Sequence, residues 1–247
     1  MCGRYSLTAT EEALRSAFGY DGAPRNLRPR WNVAPTQEMP VIRRDTGGRR
    51  LDLFTWGLVP YWAEDPSVGS RMINARGETV AEKPAYKQAY RQRRCLVPAD
   101  GFYEWPEEGD KRPVLFRVRD GAPFAFAGLW ETWVPKRGGV LETFTIVNCA
   151  ARPGSLMARY HHRTPVVLDA EDYEAWLDTD NDPKALIRPP REGMLTATRV
   201  STYINKVTND DFNCFTPAPD EPPAATVDVA KPKKKGKLLD DRQGNLF

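Results

Sequence analysis

Histidine, cysteine and long apolar runs are all scarce in this chain of 247 residues. Only two histidines occur, His161 and His162, and they are adjacent. The four cysteines, Cys2, Cys95, Cys149 and Cys214, form no close pair. That spacing lacks the paired ligands of a structural zinc site and offers no disulfide framework. Neither a metal nor a cofactor is expected. No stretch of about 18 apolar residues appears, so no membrane-spanning helix and no membrane partner are predicted. The opening MCGRYSL lacks the apolar centre of a secretory leader. The absences together predict a cytoplasmic chain with reduced thiols. Nothing in the pattern demands an oligomer, and a monomer is expected.

What is plentiful is arginine, proline and aromatic side chains. The net charge is only +3, but arginines cluster at 25, 28 and 30, at 43, 44, 49 and 50, and at 91, 93 and 94. Trp31, Trp56, Tyr61, Trp62, Tyr103 and Trp105 lie near several of these clusters. Cations interleaved with stacking rings are what a single-stranded nucleic-acid groove requires. Trp130 and Trp176 read instead as core residues.

Local patterns predict an α+β fold. Thr8-Ala9-Thr10-Glu11 reads as a capping box for a helix over about 9–18, stopped by Gly19. MPVIRR and RLDLFTWG flank Asp45-Thr46-Gly47-Gly48, a hairpin signal. PVLFRVR and PFAFAGLWE flank Asp120-Gly121, a stronger one. ETFTIVNCA and LTATRV read as strands, and Asp169 opens a short helix carrying Tyr173, Trp176 and Leu177. Several hairpins and few helices predict a distorted antiparallel β-barrel with short flanking helices. That domain is expected over 1–217. Residues 218–247 turn rich in Pro, Ala and Lys, with too little apolar surface to fold alone.

Four segments carry chemistry. Cys2 becomes N-terminal if Met1 is removed, placing an amine and a thiol on adjacent carbons. Their ordinary pKa values, about 7.7–8.0 and about 8.5, leave both partly nucleophilic near neutrality. Such a 1,2-aminothiol condenses with an aldehyde to an imine, which the thiol closes to a five-membered thiazolidine. Asn74 and Arg76, one residue apart on an extended segment, point to one side and are suited to hold a phosphate or the N-terminus. Glu104 stands between Tyr103 and Trp105, where partial desolvation raises a carboxyl pKa. His161 or His162 supplies the only imidazole for acid–base work near neutral pH.

Met-Cys-Gly-Arg-Tyr at the start, Asn32-Val33-Ala34-Pro35-Thr36, Trp56-Gly57-Leu58-Val59-Pro60, Asn74 to Thr79, Pro98 to Trp105 and His161 to Pro165 follow one another in that order. The ordered set closely resembles the SRAP family, the SOS-response-associated peptidases that shield abasic sites, over residues 2–215. The resemblance implies a distorted barrel with a positively charged groove. It also implies a matured N-terminal cysteine that crosslinks to the ring-opened abasic sugar of single-stranded DNA as a thiazolidine. By position, Cys2 matches the nucleophile and Asn74 the residue that holds sugar and cysteine. Glu104 matches the acid–base carboxylate, and His161 the histidine that opens the sugar. Arg4, Trp62 and Arg76 match groove residues, and Trp105 and Arg163 are further DNA-contact candidates. Peptidase and lyase-like chemistry are implied as maturation and as a competing strand cleavage, and DNA engagement places the protein at the nucleoid. Two other readings remain: an N-terminal-cysteine glutamine amidotransferase, and a non-covalent single-stranded DNA-binding module. The last five residues, Gln243 to Phe247, resemble the Gln-x-x-Leu-Phe pattern of sliding-clamp ligands.

Overall fold

A computed structural model describes residues 2–23, 25–135 and 138–219. The expected clamp-binding end, Gln243 to Phe247, lies outside the described residues. The elements in chain order are β1 (Arg4–Leu7), α1 (Glu11–Phe18), β2 (Arg30–Val33), β3 (Glu38–Asp45), β4 (Gly48–Trp56), β5 (Asn74–Arg76), α2 (Pro84–Gln92), β6 (Arg94–Ala99), β7 (Gly101–Glu104), β8 (Val114–Val118), β9 (Phe124–Trp133), β10 (Leu141–Ala150), β11 (Arg163–Pro165), β12 (Val167–Leu168), α3 (Tyr173–Leu177) and β13 (Leu195–Arg199), joined by short 3-10 turns. The fold is α+β, as expected.

Two sheets divide the strands. One runs β13-β8-β7-β1-β2. In the other, β10-β4-β3-β6-β9 forms a path that closes on itself because β9 also pairs with β10. The ring is not uniformly antiparallel: β10 pairs in parallel with β4 and with β5. An aromatic seam joins the sheets. Tyr5 meets Trp56 edge-on at 5.1 Å and Phe126 at 5.9 Å, and Phe102 meets Phe126 at 5.8 Å. All four rings are fully buried, so the seam combines apolar burial with favourable edge-to-face geometry.

The expected hairpin at Asp45 to Gly48 forms: Asp45 faces Gly48 across β3 and β4, and Gly47 N–H donates to Asp45 Oδ1 at 2.8 Å. The one expected at Asp120-Gly121 does not. The chain turns there, with Gly121 at φ 74°, but β8 pairs with β7 and β13, whereas β9 pairs with β6, β10 and β12. The turn therefore passes the chain from one sheet to the other. The capping box is also corrected. The N-cap is Thr10, whose hydroxyl accepts from Ala13 N–H, while Thr8 is bonded elsewhere.

That other partner is Asp100, the residue between β6 and β7 where the chain changes sheets. Its buried carboxylate accepts from Ser6 Oγ at 2.6 Å, from Thr8 Oγ1 at 2.6 Å, from Ala9 N–H at 3.0 Å and from Thr8 N–H. The next residue, Gly101, is closely packed: a Cβ there would stand 2.9 Å from both Leu115 Cδ1 and Ser6 Oγ, so one or both side chains would have to shift. Asp100 thus ties β1, and with it the start of the chain, beside β7. Asp210 does the same for β2, accepting from Trp31 N–H at 2.7 Å and Asn32 N–H at 2.9 Å. Trp176 is fully buried as expected, whereas Trp130 is only partly buried.

Candidate active site

The β1–β7 pairing aligns Arg4 with Tyr103, which brings the start of the chain to the end of β7. Cys2 is completely buried. Its thiol donates to the Arg4 carbonyl at 3.6 Å. Burial, reinforced by the negative charge of Glu104, pushes the thiol pKa far above the ordinary range. This corrects the expectation of a partly ionised thiolate: an apolar enclosure disfavours the charged form.

Asn74 opens β5, held by pairing to Ile146 of β10. Its Nδ2 donates to the Cys2 carbonyl at 2.7 Å. Its Oδ1 is buried and has no hydrogen-bond partner among the described residues, leaving an acceptor for an incoming hydroxyl or amine. The motif packs tightly at Gly77, where a Cβ would lie 2.3 Å from Ile187 Cγ2 and 3.0 Å from the Asn148 carbonyl. Glu104, at the end of β7, is 2% exposed. Burial pushes its carboxyl pKa up to about 7, so at neutral pH it can both give and take a proton.

His161 is nearly buried, whereas His162 is 68% exposed at its side chain. His161 Nδ1 accepts from Arg163 N–H at 2.8 Å. In a neutral ring the proton therefore sits on Nε2. Burial is the main reason the His161 pKa falls below its usual value. Glu107 lies between the rings, 3.4 Å from His161 Nε2 and 2.8 Å from His162 Nδ1. These three residues offer ligand atoms within 4.8 Å of one another. The donor set does not suit a metal, because a ligating His161 Nε2 would move the proton to Nδ1 and against the Arg163 N–H.

A groove of about 430 Å³ leads from Asn74 past Arg76, Trp62, Lys83 and Tyr86. Asn74 and Arg76 share this side of the segment. Arg76 is exposed, and Trp62 is 54% exposed. The other DNA-contact candidates have internal partners. Arg4 Nη1 donates to Asn32 Oδ1 at 2.7 Å and to the Ile204 carbonyl at 3.1 Å. Trp105 Nε1 donates to Asn205 Oδ1 at 2.8 Å. Arg163 donates from Nε to Asn148 Oδ1 at 2.8 Å and grips Glu78 at 3.1 Å and 2.8 Å. Sequence reasoning did not single out Glu78, Asp100 or Glu107, nor Lys83 just before α2 and Tyr86 within it. Glu78 and Asp100 sat inside the recognised motifs. Glu107 lies just past one, in a charged turn with no distinguishing pattern.

Fold and side chains together bring a buried cysteine at residue 2 near a proton-holding carboxyl, and Asn74 joins residue 2 to a basic, aromatic groove. The family model for SOS response associated peptidase (SRAP) matches residues 1–207, and the chain belongs to that family. It is 37% identical over 218 residues to the abasic site processing protein YoqW of Bacillus subtilis (strain 168), covering 85% of this chain and 96% of that one. It is 32% identical to the abasic site processing protein HMCES of Gallus gallus, covering 88% and 78%. A crystal structure of a Bacteroides thetaiotaomicron protein superimposes with a TM-score of 0.78 at 25% identity, covering 88% of this chain and 100% of that one. Among the described residues no helix is long and apolar enough to cross a membrane.

Proposed function

We propose that this protein processes abasic sites in DNA, capturing them in single strands as a thiazolidine on Cys2 after Met1 is removed. The observation that carries this reading is the convergence of two groups on residue 2. Asn74 Nδ2 holds the Cys2 carbonyl at 2.7 Å, and Glu104 lies near enough for its charge to add to burial in raising the Cys2 thiol pKa. Relatives named as abasic site processing proteins support the substrate class, and the exposed Trp62 and Arg76 suit a single strand with unstacked bases.

Hydrolysis of the Met1–Cys2 peptide frees the α-amine. His161 moves protons in opening the closed hemiacetal of the abasic sugar to its aldehyde. The amine lone pair attacks the aldehyde carbon, and water leaves with proton transfer assisted by Glu104. The resulting C=N carbon is then attacked by the Cys2 sulfur. The C–S bond forms, the C=N pair returns to nitrogen, and the thiol proton passes to that nitrogen. Thiol capture removes the imine before β-elimination cleaves the strand, so lyase-like cleavage is the competing outcome.

The test is incubation with single-stranded DNA bearing one abasic site. A denaturation-resistant species is expected with the native protein and none with Cys2→Ala. Cys2→Ser keeps imine chemistry and loses the stable adduct. Equal DNA retention by native protein and Cys2→Ala after denaturation refutes capture through Cys2, and no adduct from either refutes covalent capture altogether. Non-covalent binding alone then remains. A chain extended at its N-terminus past a non-cleavable residue is expected to be inert.

A further inference from the structure

We propose that Glu107 is a positioning residue for His161, using one carboxylate to orient the His161 and His162 imidazoles together and to keep the proton on His161 Nε2. The proposal rests on the reading above, in which His161 serves acid–base chemistry. Three observations carry it. The first is contact: Oε1 faces His161 Nε2 at 3.4 Å, and Oε2 faces His162 Nδ1 at 2.8 Å. The rings stack at 4.6 Å with their planes 22° apart, so a single carboxylate spans two parallel imidazoles. The second is anchoring. Although its side chain is 45% exposed, the Glu107 backbone is pinned twice. Its N–H donates to the Tyr160 carbonyl at 3.2 Å, and its carbonyl accepts from Lys111 Nζ. The turn after β7 is thereby stitched to the residue just before the histidines. The third is polarity. Arg163 N–H occupies Nδ1 of His161, so Nε2–H is the end of the ring that a carboxylate can orient.

The charged groups around His161 oppose one another. Burial, the α-ammonium at the start of the chain and His162 all favour its neutral form, while Glu107 and the Arg163 backbone bond favour the protonated one. Glu107 also acts on Glu104, raising its pKa, while His162 and the α-ammonium lower it. One carboxylate therefore biases both proton-handling groups of the site toward holding their protons.

The test compares native protein with Glu107→Gln, which keeps the shape and removes the charge, and Glu107→Ala, which removes both. The chain has two histidines, so NMR of the imidazole nitrogens follows each ring separately. In native protein His161 is expected as the Nε2–H tautomer. In Glu107→Gln its titration is expected to fall by about half a pH unit, the size typical of a partly exposed pair, or roughly threefold in proton affinity. The pH profile of crosslinking to an abasic oligonucleotide is expected to move downward by the same amount. Glu107→Ala is expected to mix tautomers as well. An unmoved His161 titration in both variants overturns the proposal. So does a moved titration with an unmoved pH profile. If native protein makes no crosslink at all, the functional reading fails, and the NMR titration still decides whether Glu107 orients and charges His161.

Discussion

Glu104 gives the sharpest quantitative prediction, because its carboxyl is buried and its pKa is displaced the wrong way for stability. Folding moves the pKa from an ordinary 4.5 to about 7, with burial as the main cause. Below pH 4.5 the group is protonated in both states, and its contribution to stability is fully present. As pH rises toward 7, the unfolded chain releases the proton and the folded one keeps it, so stability is lost. Above about pH 7 both states are ionised and the loss levels off. The gap is about 2.5 pH units, roughly 3 kcal/mol at 1.36 kcal/mol per unit. Glu104→Gln keeps the shape and cannot ionise. Urea unfolding of both proteins at pH 4.5 and pH 8 measures the difference, with all other titrations cancelling between them. The variant is expected to gain roughly 3 kcal/mol on the native protein between those two pH values. A native-to-variant difference that stays constant across that range refutes the buried, proton-holding Glu104. The same substitution removes the proton carrier beside Cys2 and is expected to slow crosslinking by about 10²–10⁴-fold, the usual range for a general acid–base.

Asp100→Ala removes the acceptor of four bonds that tie Ser6, Thr8 and Ala9 beside β7. A loss of about 3 kcal/mol in urea unfolding is expected, since bonds to a charged acceptor contribute about 1.5–3 kcal/mol each and partly compensate when lost. A loss below 1 kcal/mol, about the worth of a single neutral bond, would show that β1 holds its place without Asp100. In the groove, two variants separate stacking from charge. Trp62→Ala is expected to weaken single-stranded DNA binding by about 1–3 kcal/mol at every salt concentration. Arg76→Gln is expected to reduce the slope of log affinity against log salt by about 0.7. Unchanged values in a salt titration would place the strand elsewhere.

Several features were legible in the sequence because they are decided locally. The Asp45-Thr46-Gly47-Gly48 turn joins β3 to β4 as neighbours in sequence and in the sheet. The segment Asn74 to Arg76 is extended, so its two polar side chains share a side. What was not legible depends on partners distant in sequence. The strands on either side of Asp120-Gly121 alternate as a hairpin should. Yet β8 finds β7 and β9 finds β6, because the chain has already changed sheets at Asp100. Thr8 carries a capping signal that Asp100, far along the chain, takes over. The helix α2 is short and polar, burying little beyond Ala89 and Tyr90, so its pattern is weak even with Pro84 at its first turn. The arginines show the same limit. Nothing in the sequence tells that Arg163 spends its donors on Asn148 and Glu78, while Arg76 stays open to the groove.

Burial of the Cys2 thiol sets the order of bond formation in the proposed chemistry. A thiol held protonated by its enclosure and by Glu104 is a poor first nucleophile. α-Amines ordinarily titrate near 8, and once Met1 is lost a neighbouring carboxyl that titrates at about 7 can take up the proton of the freed amine. The amine therefore attacks first and the imine precedes the sulfur bond. The second step then needs no preformed thiolate, because the thiol proton goes to the very nitrogen that receives the electron pair. The pKa displacement that makes Cys2 inert toward ordinary electrophiles thus leaves it competent toward an imine formed on its own amine. A thiol-directed alkylating agent is accordingly expected to react slowly with Cys2 in protein that still crosslinks at full rate. Rapid alkylation of Cys2, measured by mass spectrometry of the N-terminal peptide, would refute that order.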